Sequence, residues 1–97
     1  MTVIAPTETV LEGRWVTVGG NVRADDVALR IERLTQSHLK FVESRKGGWT
    51  KLYRDPADGR FWELSYPSSH MHGGGPPRLE ALSPEIVTIR YGKIAEV

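Results

Sequence analysis

The sequence contains no cysteine. Disulfide bonds and thiolate metal sites are therefore excluded, and so is the class of small secreted proteins that disulfides hold together. No apolar run approaches the roughly 20 residues that a membrane-spanning helix requires. The N-terminal segment also lacks the basic region that precedes the apolar core of a signal peptide. These absences predict a cytoplasmic protein without a membrane partner.

The chain also has no excess of positive or negative charge. Thirteen basic and twelve acidic residues give a formal net charge of +1. Because proteins that bind nucleic acid usually carry a concentrated basic surface, we expect no nucleic-acid partner. The 97 residues suffice for one domain, residues 1–97, with a modest core and no deep cleft between lobes. We expect a small binding domain that is a monomer or a weak homodimer.

Aromatic residues make up 8% of the chain, and two of the three Trp and two of the three Tyr lie within residues 47–77. The centre of that stretch predicts a β-hairpin with strands Trp49–Asp55 and Arg60–Tyr66. The four residues between them begin with Pro and end with Gly, which is typical of a tight turn. Counting outward from the turn pairs Tyr53 with Trp62.

This register divides the hairpin into two faces, because successive side chains of a strand point in opposite directions. The face with Tyr53 and Trp62 carries most of the aromatic residues, so we expect it to be the core face. The other face is more polar and is expected to be exposed, with Arg54 near enough to pair with Glu63. We also expect Asp55 to cap the turn and pair with Arg60.

The N-terminal half predicts one strand and one helix. Arg14–Val18 alternates like a strand and ends at a Gly-Gly-Asn turn, with Trp15 expected in the core. Asp25 is a good N-cap for a helix that runs to about Gln36. The apolar alternation over residues 27–31 leaves a strand as the alternative. Residues 1–12 are expected to form an extended lead-in.

The remaining segments complete an α+β prediction. His38–Ser44 alternates as a strand and connects through glycines to the hairpin, which gives a three-stranded meander. Residues 67–77 are expected to form a loop. Residues 83–91 begin with Ser and Pro and precede a glycine, which favours a helix, although their β-branched run leaves a strand open. We therefore expect a small antiparallel sheet, the meander plus an N-terminal strand, packed by one or two helices.

The glycine-rich loop contains residues suited to chemistry. Residues 72–75 read HGGG, like the oxyanion loop of lipases, but the chain has no G-x-S-x-G nucleophile motif. His70 and His72 could begin a metal site with His38, but no further ligand set has metal-binding spacing. A small metal-binding or hydrolytic domain that uses His70 and His72 is therefore the alternative. The preferred prediction has no catalytic residue, metal or cofactor.

The ordered motifs of this region resemble those of the immunity protein 27 family of bacterial polymorphic toxin systems. They are GW, LYRDP, DGR, WEL, YP and HGGGPP, in that order over residues 48–77. The similarity extends upstream through Leu11, Gly13, Trp15 and the Arg30-Ile31-Glu32 segment, so it covers most of the chain. The chain departs from the family at His70, where an acidic residue is common.

This resemblance implies a cytoplasmic protein that binds a cognate toxin domain and blocks it by occlusion, without catalysis of its own. Tyr, Trp and Arg are the residues that most often dominate such protein interfaces. We expect the toxin contact on the outer hairpin face and the following loop. The candidate contact residues are Leu52, Arg54, Asp58, Phe61, Glu63, His70 and His72.

Overall fold

The computed structural model describes residues 3–45, 47, 49–67 and 75–92. Within these ranges the chain forms seven strands and two α-helices. The strands are β1 (Val10–Glu12), β2 (Trp15–Val18), β3 (Asn21–Ala24), β4 (Lys40–Arg45), β5 (Thr50–Arg54), β6 (Phe61–Ser65) and β7 (Arg78–Leu82). The helices are α1 (Asp26–Arg33), which continues as a π-helical turn over Leu34–His38, and α2 (Pro84–Tyr91).

Five strands form one antiparallel sheet in the order β1-β7-β6-β5-β4, and β2 and β3 form a separate two-stranded ribbon. The α+β prediction and the three-stranded meander are confirmed. The hairpin register is also as predicted, since Tyr53 pairs with Trp62 and Lys51 pairs with Leu64. The sheet is larger than expected because β7 joins the free edge of β6 and β1 then joins β7.

Helix α1 begins where the sequence predicts. The Asp25 side chain accepts a hydrogen bond from the Ala28 amide at 2.8 Å and so caps the first turn. Ile31 and Leu34, at 1% and 0% exposure, pack into the core against the sheet, while Leu29 is exposed. This spacing of three to four residues is helical, and the alternative of a strand over residues 27–31 is wrong.

Helix α2 covers the second face of the sheet. The Ser83 side chain caps its first turn and Gly92 follows its last residue, so the helix is confirmed and the alternative strand is wrong. Leu52 packs with Leu82, Val87 and Tyr91 in a core cluster of its own. The sheet therefore has a helix on each face, and the prediction of one exposed hairpin face is wrong.

The described helices are both short. Neither of these helices is long and apolar enough to cross a membrane.

Gly13 lies where β1 turns toward the ribbon and approaches α1 closely. Its amide donates a hydrogen bond to the Pro77 carbonyl at 2.8 Å. A Cβ atom at this position would lie 2.9 Å from the Ala28 Cβ and 2.9 Å from the Pro77 oxygen. Only glycine fits this contact without a shift of the backbone.

We expect Gly13→Ala to lower the free energy of unfolding by about 1–3 kcal/mol. The added methyl group would displace α1 or the backbone at Pro77, the residue before β7. Urea denaturation followed by circular dichroism measures the change. Gly19→Ala is the comparison, since a Cβ there meets nothing within 4 Å and the cost comes only from its φ of +57°. An unchanged stability for Gly13→Ala would contradict the close packing of Gly13 on α1.

A second contact ties the N-terminal segment to α1. The Arg30 guanidinium donates to both carboxylate oxygens of Glu8, each at 2.7 Å, and to the Val3 carbonyl at 2.9 Å. Hydrogen bonds from Arg30 and from the Ala5 amide lower the pKa of Glu8 from 4.5 to about 2. The ionised carboxylate is therefore the form that the folded chain favours.

The lowered pKa of Glu8 predicts a loss of stability in acid. This contribution is complete above pH 4.5 and is lost as the pH falls toward about 2. Because the ion pair is partly exposed, we expect it to contribute about 1 kcal/mol. Glu8→Gln should lower stability by that amount near neutral pH and flatten the decline in acid, as measured by urea denaturation across this pH range. An undiminished decline of stability in acid for Glu8→Gln would contradict the assignment to Glu8.

Candidate protein-interaction surface

The hairpin tip, residues 55–60, is organised around a buried carboxylate. Asp55 is 0% exposed, and its Oδ1 accepts a hydrogen bond from the Ala57 amide at 2.8 Å. The same oxygen lies 2.9 Å from His38 Nε2, which connects the tip to the end of the π-helical turn. The Asp55 amide also donates to the Arg60 carbonyl at 2.8 Å, so Asp55 caps the turn as predicted. These contacts connect the tip to the π-helical turn and to the start of β6.

Asp55 and Arg60 pair through the backbone, and the Arg60 side chain has other partners. Arg60 Nε donates to Asp58 Oδ2 at 2.7 Å, and the guanidinium lies 4.8 Å from the centroid of the Trp62 ring. Its two terminal nitrogens donate to backbone carbonyls of the N-terminal segment, at Glu8 and Ala5. Arg60 therefore joins the tip to that segment, because its flat guanidinium offers several donors at once.

Two of the predicted contact residues are buried. Leu52 is 0% exposed and Glu63 is 7% exposed, because α2 covers both. The prediction that these two side chains are exposed is wrong. Asp58 is exposed at the tip, and Arg54 and Phe61 are half-buried. His70 and His72 lie outside the described residues.

Glu63 has a structural role in the fold. Arg90 donates to its Oε1 at 2.6 Å, and the Tyr91 hydroxyl donates to its Oε2 at 2.8 Å. Burial raises the pKa of Tyr91 to about 12, and the Glu63 carboxylate also favours the protonated phenol. The carboxylate therefore fixes the end of α2 to β6.

An exposed apolar surface lies on a hairpin of which only the first strand was predicted from the sequence. The valine ribbon, residues 15–24, consists of β2, a Gly19-Gly20 turn and β3. Val16, Val18 and Val22 are 39%, 53% and 69% exposed. Trp15 is 36% exposed, so its expected place in the core is wrong. The two turn glycines have φ of 57° and 83°, which suits the tight turns that connect two strands.

An aromatic groove separates the valine ribbon from the main sheet. It has a volume of about 410 Å³ and runs between Trp15 of the ribbon, α1 and the base of the central hairpin. Trp49 and Tyr66 line its far side, with their ring centroids 6.0 Å apart in an edge-to-face arrangement. Trp49 is 53% exposed although it lies on the predicted core face.

The ribbon could have been found from its sequence. Residues 15–24 read WVTVGGNVRA, in which a Gly-Gly pair separates two stretches with β-branched residues. That pattern is a short-range hairpin signal. The glycines were interpreted as the end of a strand and the helix was expected from Asp25, so the strand over the intervening residues, β3, was missed.

No candidate metal centre is found among the described residues. Within ranges 3–45, 47, 49–67 and 75–92, no group of three or more His, Asp or Glu side chains could hold a metal ion. His38 already contacts Asp55. The alternative of a metal-binding or hydrolytic site depends on His70 and His72, which are not described.

Comparison with known proteins gives one finding. No curated protein and no solved structure matches the chain. The sequence model of the family described as Immunity protein 27 matches residues 17–83. The matched segment begins within the valine ribbon and ends at the N-cap of α2, so it spans well over half of the chain and includes the hairpin tip. The chain belongs to the immunity protein 27 family.

Proposed function

We propose that this chain neutralises a cognate toxin domain of a bacterial polymorphic toxin system by binding it directly in the cytoplasm. Membership of the immunity protein 27 family is the observation that carries the proposal. In this proposal the chain performs no reaction, and it protects by covering the surface that the toxin needs. It acts as a monomer or a weak homodimer before it meets the toxin.

The dimensions of the chain suit inhibition by occlusion. A stable protein interface buries about 800 Å² on each partner, which is roughly one eighth of the 6396 Å² that this chain exposes. A five-stranded sheet with a helix on each face gives such an interface a rigid support. Binding then costs little conformational entropy in the inhibitor.

The hairpin tip remains a proposed part of the contact surface. Asp58 is exposed at the tip, Arg54 and Phe61 are half-buried beside it, and Arg and aromatic residues are frequent at the centre of interfaces. Leu52 and Glu63 are not included, because a contact with them would require α2 to move. His70 and His72 stay in the proposal as expected from the sequence.

The direct test is capture and protection. A tagged chain is used to isolate partners from lysate of the source organism, and a stoichiometric partner identified by mass spectrometry is then purified. Expression of that partner alone should stop bacterial growth, and co-expression of the chain should restore it. A captured partner that does not harm the cell, or a toxin against which the chain gives no protection, would overturn the proposal.

A further inference from the structure

The valine ribbon has an unusual amount of apolar surface for an element with so little support. A two-stranded ribbon alone is marginally stable in water. Here two hydrogen bonds close the base of the ribbon, since the Arg14 carbonyl accepts from the Asp25 amide and the Arg14 amide donates to the Asp25 side chain, which also caps α1. Val18 and Val22 are more than half exposed, one on each face of the ribbon. Such a patch is typical of a binding site.

Both faces of the ribbon open onto a groove. The aromatic groove lies against the face with Trp15, and its one charged lining residue in the described chain is Glu32. A second groove of about 600 Å³ lies against the face with Val16 and Val18. Its charged lining residues are Arg23, Asp25 and Asp26.

The charge around the ribbon differs from that of the whole chain. Three acidic residues, Glu32, Asp25 and Asp26, and one basic residue, Arg23, line the two grooves, whereas the full chain has a net charge of +1. An apolar centre with an acidic rim is complementary to an apolar surface that lysine or arginine side chains surround. A second copy of the chain would place the same acids against each other, which makes self-association the less favourable use of this surface.

We propose that the valine ribbon is the principal toxin-binding element, and that it fits an apolar cleft of the toxin domain rimmed by lysine or arginine. This inference depends on the proposed function and adds the binding surface and the chemistry of the partner. Val16, Val18 and Val22 supply the apolar contacts, and Asp26 and Glu32 pair with the basic rim. Trp15 and Trp49 border the same contact from the aromatic groove.

Isothermal titration calorimetry of the chain with the purified toxin domain tests this assignment. Val22→Lys removes an apolar contact and places a cation against the basic rim, so it should weaken binding by at least about tenfold. Ile89→Lys is the matched control, because Ile89 is 77% exposed on α2, on the other side of the sheet. It should bind within about twofold of the wild type. Circular dichroism is the check that both variants fold.

A charge variant tests the acidic rim without altering the apolar surface. Asp26→Asn should weaken binding and reduce its dependence on salt, since screening acts on the ion pairs across an interface. Glu85→Gln, in the first turn of α2, should leave both quantities unchanged. Both acids lie in the first turn of a helix, so a general effect of removing a first-turn charge on helix stability would appear in both variants.

The experiments distinguish a failure of the proposed function from a failure of the ribbon assignment. Wild-type chain that neither binds nor neutralises the toxin would overturn the proposed function. Wild-type binding that Val22→Lys leaves unchanged, or that Ile89→Lys weakens equally, would overturn the ribbon assignment alone. A homodimer that forms without toxin and is dissociated by Val22→Lys would assign the ribbon to a second copy of the chain and also overturn it.

Discussion

Trp62→Ala should lower the free energy of unfolding by about 3–5 kcal/mol, since it removes the largest fully buried side chain of the core. Trp62 is 0% exposed and packs in the cluster that joins the sheet to α1. A small domain is stable by only about 5–15 kcal/mol, so a large part of the variant should be unfolded under mild denaturing conditions. Urea denaturation monitored by far-ultraviolet circular dichroism measures the loss.

Trp49→Ala is the control for this prediction. It also replaces a tryptophan with alanine, at the residue before β5. Trp49, however, is 53% exposed and lines the aromatic groove. We expect a smaller loss of about 1–2 kcal/mol, because roughly half of the side chain is already in contact with water and its removal leaves no enclosed cavity. Equal losses at the two positions would contradict the assignment of Trp62 to the core and of Trp49 to the surface.

Asp55→Ala should be the most damaging change at the hairpin tip, with a loss of about 2–4 kcal/mol. It removes the acceptor for the Ala57 amide and leaves the His38 ring without its carboxylate. Loss of one member of a buried polar pair costs more than the pair contributes, because the remaining group has lost its contact with water and gains no partner. Thermal unfolding of the purified variant measures the change.

Asp58→Ala tests whether burial determines this cost. Asp58 lies three residues further along the same turn and pairs with Arg60, but it is exposed. We expect a loss of about 1 kcal/mol or less. His38→Ala combined with Asp55→Ala should lose less than the sum of the single variants, and additive losses would contradict a direct contact between the two side chains.

The parts of the fold that could be predicted are those with strong local signals. The central hairpin has a Pro-to-Gly turn between two aromatic strands, and the caps Asp25 and Ser83 stand directly before α1 and α2. Each of these signals acts over a few residues, so the sequence is sufficient to locate it. The register of the hairpin followed from the turn length.

Strand β7 could not be predicted in the same way. Its sequence, RLEAL, contains residues that favour helices, and it forms a strand because β6 and β1 pair with it on either side. Its position against β6 also brings α2 over the second hairpin face. The burial of Leu52 and Glu63 is therefore a consequence of long-range pairing, and hairpin alternation alone indicated the opposite.

The candidate interaction surface was missed for a related reason. Trp15 was expected in the core because large aromatic residues are usually buried there. Its strand pairs with β3 instead of joining the main sheet, so the ribbon keeps its valines exposed on both faces. Which surface is left uncovered depends on the complete arrangement of strands, and the alternation of residues within one strand does not contain that information.

Titration of the toxin's activity tests the central claim of neutralisation by direct binding. Increasing amounts of the purified chain are added to a fixed amount of toxin domain, and the residual activity is measured. If the chain occludes the toxin, activity should fall linearly and vanish at about one chain per toxin domain, with a complex of that composition by light scattering. Full inhibition by a small fraction of an equivalent would instead indicate catalytic inactivation, and undiminished activity at excess chain would rule out neutralisation.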